Sequence, residues 1–293
     1  MATMKTLNGY GFNATELNGK AASDYLQKTD TASDTSKLGG KAPEYYIQPR
    51  NLLDNSDFKN PVNQRGIYSA VNGSYIIDRW CFVNSNFTGN TTITQSANGT
   101  TITNDAGADT IGILQRFIDK NYYDGKYTVV VKTTDSLIFG YTEVLDSEND
   151  IVQASTWLPS GTTVVWAALY EGSYTAETLP PYVPKGYAAE LMECQRYFIA
   201  DVGTHKTGTI VDNIFEMYIL LPTQMRIVPT AILRRPDNVV FNIGERKIVA
   251  VKSASVTYLK NLLVGITLDI DNTGKQYVIG ATYLTTIDLS ADL

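Results

Sequence analysis

The chain has 293 residues, a formal net charge of -6, 19 tyrosines and 18% charged residues, below the roughly 25% of an ordinary soluble domain. The acidic balance and the lack of a Lys/Arg cluster exclude binding to a polyphosphate backbone, so nucleic acid is not an expected partner. No window approaches the roughly 18 apolar residues that span a bilayer, which excludes membrane insertion by a helix.

The first 50 residues carry an internal repeat. Leu17-Asn-Gly-Lys-Ala-Ala-Ser-Asp-Tyr25-Leu-Gln27 is echoed by Leu38-Gly-Gly-Lys-Ala-Pro-Glu-Tyr-Tyr46-Ile-Gln48. Each unit holds too little apolar surface to bury alone, so residues 1–50 are expected to form a self-associating shaft or attachment segment. Met1 to Gly11 lacks the apolar core of a secretory signal, and the expectation is a chain made in the cytoplasm that stays there until assembled or released.

Residues 51–183 are rich in β-branched and aromatic residues punctuated by Asn, Gly and Asp. Strand runs are predicted at Tyr75 to Val83, Thr91 to Gln95, Thr100 to Thr103, Ile111 to Ile118, Lys126 to Lys132, Leu137 to Val144, Ile151 to Trp157 and Thr163 to Tyr170. Tyr123-Asp124-Gly125-Lys126 has the Asp-Gly signal of a tight hairpin. Runs at this spacing predict a β-sandwich of jelly-roll type. The Pro-rich stretch Leu179-Pro-Pro-Tyr-Val-Pro184 predicts a linker, and residues 184–293 a small α+β domain. Its one helix is predicted over Ala188 to Phe198, with Leu191, Cys194 and Phe198 on one face and Glu193 placed to pair with Arg196. Strand runs over Thr209 to Leu221 and Val239 to Leu293 follow, with a hairpin around Asp271-Asn-Thr-Gly274. The overall expectation is a mainly β protein.

Three groups of residues carry a resemblance. They are Asn51-Leu-Leu-Asp-Asn-Ser-Asp-Phe58 with Pro61-Val-Asn-Gln-Arg-Gly66 and Asp78-Arg-Trp80; Glu190-Leu-Met-Glu-Cys-Gln-Arg-Tyr-Phe198; and Leu221-Pro-Thr-Gln-Met-Arg226 with Pro229-Thr230. Together they resemble blocks of phage and prophage tail-fibre proteins. The first is similar to the start of a carbohydrate-binding-module-like β-sandwich, the others to the C-terminal domain that follows it. The resemblance implies a homotrimeric receptor-binding fibre of a virion, tail-like bacteriocin or contractile injection system. It would join a baseplate or tail at its N-terminal end and attach to a bacterial surface glycan or other receptor at the distal end.

Adhesion to sugar needs an aromatic platform edged by hydrogen-bonding side chains. Trp157, Trp166, Tyr170 and Tyr174 are the candidate platform, although alternation also lets Trp166 and Tyr170 share a core face. Trp80, in a run with Tyr75, Ile77 and Phe82, is expected to anchor the sandwich core, with Asp78 and Arg79 pairing at its rim. Gln195, Arg196 and Tyr197 are expected to tie helix to sheet or one subunit to the next.

Chemistry that breaks bonds finds little support. The single His, His205, lacks a nucleophile elbow, and no Gly-Lys pair has phosphate-loop spacing. Carboxylates at Glu143, Asp146, Glu148, Asp150, Glu171 and Glu177 leave a polysaccharide depolymerase as the alternative, and a purely structural baseplate component as a third reading. The same acidic turn lacks the spacing of a dedicated calcium loop. Cys81 and Cys194 read as buried free thiols. The expectation is therefore a non-enzyme with no catalytic residues, metal or cofactor.

Overall fold

A computed structural model describes residues 16–17, 20–21, 49–118, 126–202, 206–233, 239–242, 247–270, 278–283 and 287–292. Residues up to Pro49 form one compact unit and Arg50–Leu293 another. In the first, β1 (Glu16–Leu17) pairs antiparallel with β2 (Lys20–Ala21); the predicted repeat otherwise lies outside the described residues, as do His205 and the turns at 123–125 and 271–274.

The second unit is mainly β, built from antiparallel sheets. Among the described residues its first part has eleven strands: β3 (Ser69–Val71), β4 (Ser74–Ile77), β5 (Trp80–Asn84), β6 (Asn90–Ser96), β7 (Gly99–Asn104), β8 (Thr110–Ile118), β9 (Tyr127–Thr133), β10 (Leu137–Phe139), β11 (Tyr141–Asp146), β12 (Ile151–Pro159) and β13 (Thr162–Glu171). They form a six-stranded sheet of order β10-β9-β13-β7-β6-β3 and a five-stranded sheet of order β11-β12-β8-β5-β4. Alternate residues of both sheets meet in one apolar core, including Trp80, Phe82, Ile111, Ile113, Val129, Leu158 and Leu169. Trp80 lies fully inside it, 5.1 Å from the Phe58 ring, and donates its indole N–H to the Asn55 carbonyl.

Two predicted runs divide in the structure. The run from Tyr75 to Val83 turns back at Asp78-Arg79, where Arg79 adopts a positive φ of 72°, and becomes the β4–β5 hairpin. The run from Leu137 to Val144 changes sheet at Gly140: β10 pairs with β9, and β11 pairs with β12. A Cβ at Gly140 would lie 2.0 Å from the Ser155 carbonyl oxygen, so only glycine lets the chain cross there.

The helix α1 (Tyr187–Cys194) is shorter than predicted, since Phe198 already begins β14 (Phe198–Val202). It docks through a charge: the buried Glu190 carboxylate accepts hydrogen bonds from the Asn55 and Ser56 backbone N–H groups and from the Ser56 hydroxyl. Glu193 pairs with Lys185 at 2.7 Å and Arg50 at 3.6 Å, not with the exposed Arg196.

Where a small sheet against the helix is expected, the chain builds a closed barrel. Its strands are β15 (Thr207–Val211), β16 (Ile214–Leu220), β18 (Val239–Asn242), β19 (Lys247–Lys260), β20 (Leu263–Ile270) and β21 (Val278–Tyr283), in the order β15-β16-β20-β19-β18-β21. Closure depends on the fourteen-residue β19, whose register shifts at Val251/Ser253 and Val256/Tyr258 bend it enough to pair with both β18 and β20. A three-stranded sheet, β14-β22-β17, with β17 (Thr230–Leu233) and β22 (Ile287–Ser290), shares the barrel's apolar core through Ile199, Ile287 and Leu289.

Candidate ligand-binding face

The outward side of the five-stranded sheet presents aromatic and polar groups in three rows. Cross-strand register sets them: Trp157-Gly112-Val83, then Tyr141-Ser155-Leu114-Cys81-Tyr75, then Glu143-Gln153-Arg116. Successive rows lie two residues apart along β12, so Trp157 and Gln153 are separated by roughly 14 Å of strand.

Trp157 is 38% exposed and Tyr141 48% exposed, side by side. The Trp157 indole N–H points to the Tyr141 hydroxyl at 3.4 Å, a long contact that orients both rings. Between the aromatic row and the polar row the floor is buried: Ser155, Leu114 and Cys81. Gln153 organises the polar row. Its amide donates to the Glu143 carboxylate at 2.7 Å and to the Ser155 hydroxyl at 3.1 Å, while its carbonyl oxygen faces Arg116 Nε at 3.4 Å. The face therefore holds a hydrophobic platform, a carboxylate acceptor and a guanidinium donor on rigid strands, the elements that read a ring with an apolar face and a hydroxyl edge. At the far end of the middle row, burial and then the Asp292 charge push the Tyr75 phenol up to about 12, and burial raises the Cys81 thiol.

The predicted platform is divided. Trp166 and Tyr170 belong to β13 of the other sheet and Tyr174 to the chain that follows it; Trp166 stacks on Tyr182 at 4.7 Å and Tyr170 meets Tyr174 edge-on at 6.1 Å. With Val130, Ala168 and Leu179 they form a small satellite core under the chain leaving β13. Tyr170 is almost wholly buried, and burial lifts its phenol to about 12. Trp157 alone of the four faces outward on the five-stranded sheet; the sequence pattern does not mark Tyr141, Gln153 or Arg116, and marks Glu143 only as an acid. Alternation along β12 relative to the buried Leu158 was the signal that could have placed Trp157 apart from Trp166.

Asp78, Arg79 and Tyr197 lie in the seam between the sandwich and the C-terminal part. Asp78 and Arg79 do not pair at a rim; both are buried, each with its own partners. Asp78 accepts from the Gln64 amide at 2.7 Å and lies 3.6 Å from Arg65, which also bonds Asp292. Gln64 donates onward to the Phe198 carbonyl at 2.9 Å, and Arg65 stacks over the Phe198 ring at 3.8 Å. Arg79 bonds Asp54 at 3.0 Å and the Arg116 carbonyl. Gln195 ends the helix half-buried, and the Arg196 carbonyl accepts from the Arg226 N–H at 2.8 Å.

Of the acids weighed for hydrolysis, Asp146 caps its own turn: it accepts from the Asn149 side-chain amide at 2.7 Å and from the Asn149 and Glu148 backbone N–H groups, and these bonds, the side-chain one foremost, lower its pKa. Glu177 is held by Thr175. Among the described residues no group of three or more metal-ligating side chains converges. Cys81 and Cys194 are both buried and unbridged. A separate cleft of about 270 Å³ opens at the sandwich edge, lined by Leu52, Phe117, Ile118, Tyr127 and Glu171. Among the described residues no helix is long and apolar enough to cross a membrane. Set against known proteins, the chain matches no protein-family model, no curated protein and no solved structure.

Proposed function

We propose that this protein is a tail fibre or receptor-binding component of a phage or phage-tail-like particle, and that it attaches to a bacterial surface glycan through the outer face of its five-stranded sheet. The observation that carries the adhesive reading is the exposed Trp157 and Tyr141 pair beside the Glu143-Gln153-Arg116 row. The paired aromatic rings offer a platform for the apolar face of a sugar, and their polar neighbours suit its hydroxyls. The tail-fibre reading rests on the three sequence blocks; two of them meet at the Arg79–Tyr197 contact in the seam. Homotrimer formation and attachment at the N-terminal end belong to the same proposal, as does a carbohydrate-binding-module-like role for the sandwich.

Incubation with purified envelope polysaccharides tests it. Saturable retention with no new reducing ends is the expected result; release of fragments would make the protein a depolymerase, and absence of retention would leave it a structural component.

A further inference from the structure

Gly112 lies at the centre of the five-stranded sheet, directly beneath the Trp157 indole. A Cβ built there would stand 3.4 Å from each of indole Cδ2, Cε2 and Cη2. All three atoms belong to the six-membered ring, Cδ2 and Cη2 at opposite corners, so a point equidistant from the three lies on the axis through that ring. One face of the indole is therefore seated against the Gly112 backbone. The opposite face looks into solvent, which accounts for the 38% exposure of a residue whose neighbours Thr156 and Leu158 are buried.

A glycine as the third residue of a nine-residue central strand is unfavourable for the strand itself, because it brings no side chain to pack and a larger loss of backbone freedom. Gly112 does not adopt a positive φ, so no turn or bulge requires it. Its pairing partners, Trp157 on β12 and Val83 on β5, continue the ladder without interruption. What the missing side chain does provide is the seat for the indole.

Resting on the glycan-binding reading above, we infer that Gly112 is the positioning residue of this face: it seats one face of the Trp157 indole on backbone, so that the opposite face takes a pyranose by its apolar side, with the sugar ring parallel to the indole. Hydroxyls of that ring and of a following one then reach toward the Gln153 row, about four residues away along β12. An indole pushed off this seat by a side chain at position 112 would present a different face and select a different ligand geometry. The class of ligand is thus a hexopyranose chain that stacks on the indole and runs toward the Gln153 row, not a single sugar end inserted into a pocket.

The test uses the full chain and an array of immobilised hexopyranose oligosaccharides and bacterial lipopolysaccharides. Gly112→Val places γ-carbons where the ring now lies, while Gly112→Ala brings only a contact at the edge of the ordinary range. On the glycan retained by the unaltered chain, the expected losses are about twofold for Gly112→Ala and at least about tenfold for Gly112→Val, the latter matching Trp157→Ala. Both glycine variants are expected to melt within a few degrees of the unaltered chain, since Val favours strands. With 5-fluorotryptophan incorporated, Gly112→Val should move the Trp157 resonance and leave those of Trp80 and Trp166 in place. Full binding by Gly112→Val while Trp157→Ala loses it would overturn the positioning role and leave the binding reading standing. Full binding by Trp157→Ala, or no retention of any glycan by the unaltered chain, would overturn both.

Discussion

The guanidinium carbon of Arg79 sits 3.4 Å from the centre of the Tyr197 ring, joining the hairpin turn of the sandwich to the residue that follows α1 and Gln195-Arg196. Arg79 is 1% exposed, and its charge is balanced by Asp54 and the Arg116 carbonyl. The same seam contains the Glu190 carboxylate on the Asn55-Ser56 turn and Gln64 between Asp78 and Phe198. Polar groups this deep fix a single docking geometry, because each must find its partner or stand desolvated.

Removal of the Arg79 side chain leaves Asp54 with only Lys185, 4.0 Å away, as a cationic partner and opens a void beside Tyr197. Arg79→Ala is expected to lower stability by about 3 to 5 kcal/mol, the cost of breaking a buried pair from one side. Denaturant unfolding measures it; a loss within the range of an exposed ion pair would show that Arg79 does not hold the seam.

Glu190 accepts three hydrogen bonds through two oxygens. Glu190→Gln retains one acceptor oxygen and turns the other into a donor facing donors, so a loss of about 1 to 3 kcal/mol is expected. Faster amide exchange at Asn55 and Ser56, with barrel amides unchanged, is the local signature; a uniform change across the chain would contradict it.

Burial raises the Asp78 carboxyl from 3.8 to about 6, against the opposing pull of Gln64 and Arg65. Facing it too are the Asp292 carboxylate, held by Arg65, and the Cys194 thiol, which burial keeps uncharged. A folded pKa above the unfolded one means that folding takes up a proton between roughly pH 4 and 6. The contribution of Asp78 is then most favourable below that window and declines as pH rises through about 6, by on the order of 3 kcal/mol at most. Asp78→Asn keeps an acceptor for Gln64 and cannot ionise. Its melting temperature should lose less than that of the unaltered chain between pH 4 and 7.5; an equal or steeper decline would contradict the raised pKa.

Trp157 and Trp166 should respond in opposite ways. Trp157→Ala is expected to weaken glycan retention at least about tenfold with a stability change within about 1 kcal/mol, whereas Trp166→Ala, which breaks the stack on Tyr182, should cost about 2 to 4 kcal/mol and spare the binding face. Melting curves and retention assays on the two variants separate these effects.

Much of the strand content was legible because β12, β13 and β16 combine β-branched and aromatic residues with two-residue alternation, as in Ile214 to Leu220. What was not legible depended on contacts distant in sequence. Gly140 reads as a strand residue until Ser155 is placed against it, and Asp78-Arg79 as strand until Asp54 and Tyr197 claim Arg79. Barrel closure likewise follows from the bends in β19, which alternation alone does not encode. The predicted aromatic platform failed for the same reason: Trp157 and Trp166 are nine residues apart, but the β12–β13 turn sends them into different sheets.

Hydrogen–deuterium exchange with and without a retained glycan tests the binding face most directly. Protection concentrated in Thr110–Ile118, Tyr141–Asp146 and Ile151–Pro159 is the predicted result. Protection confined to the barrel around Tyr218 and Tyr258, with these three strands unchanged, would contradict it.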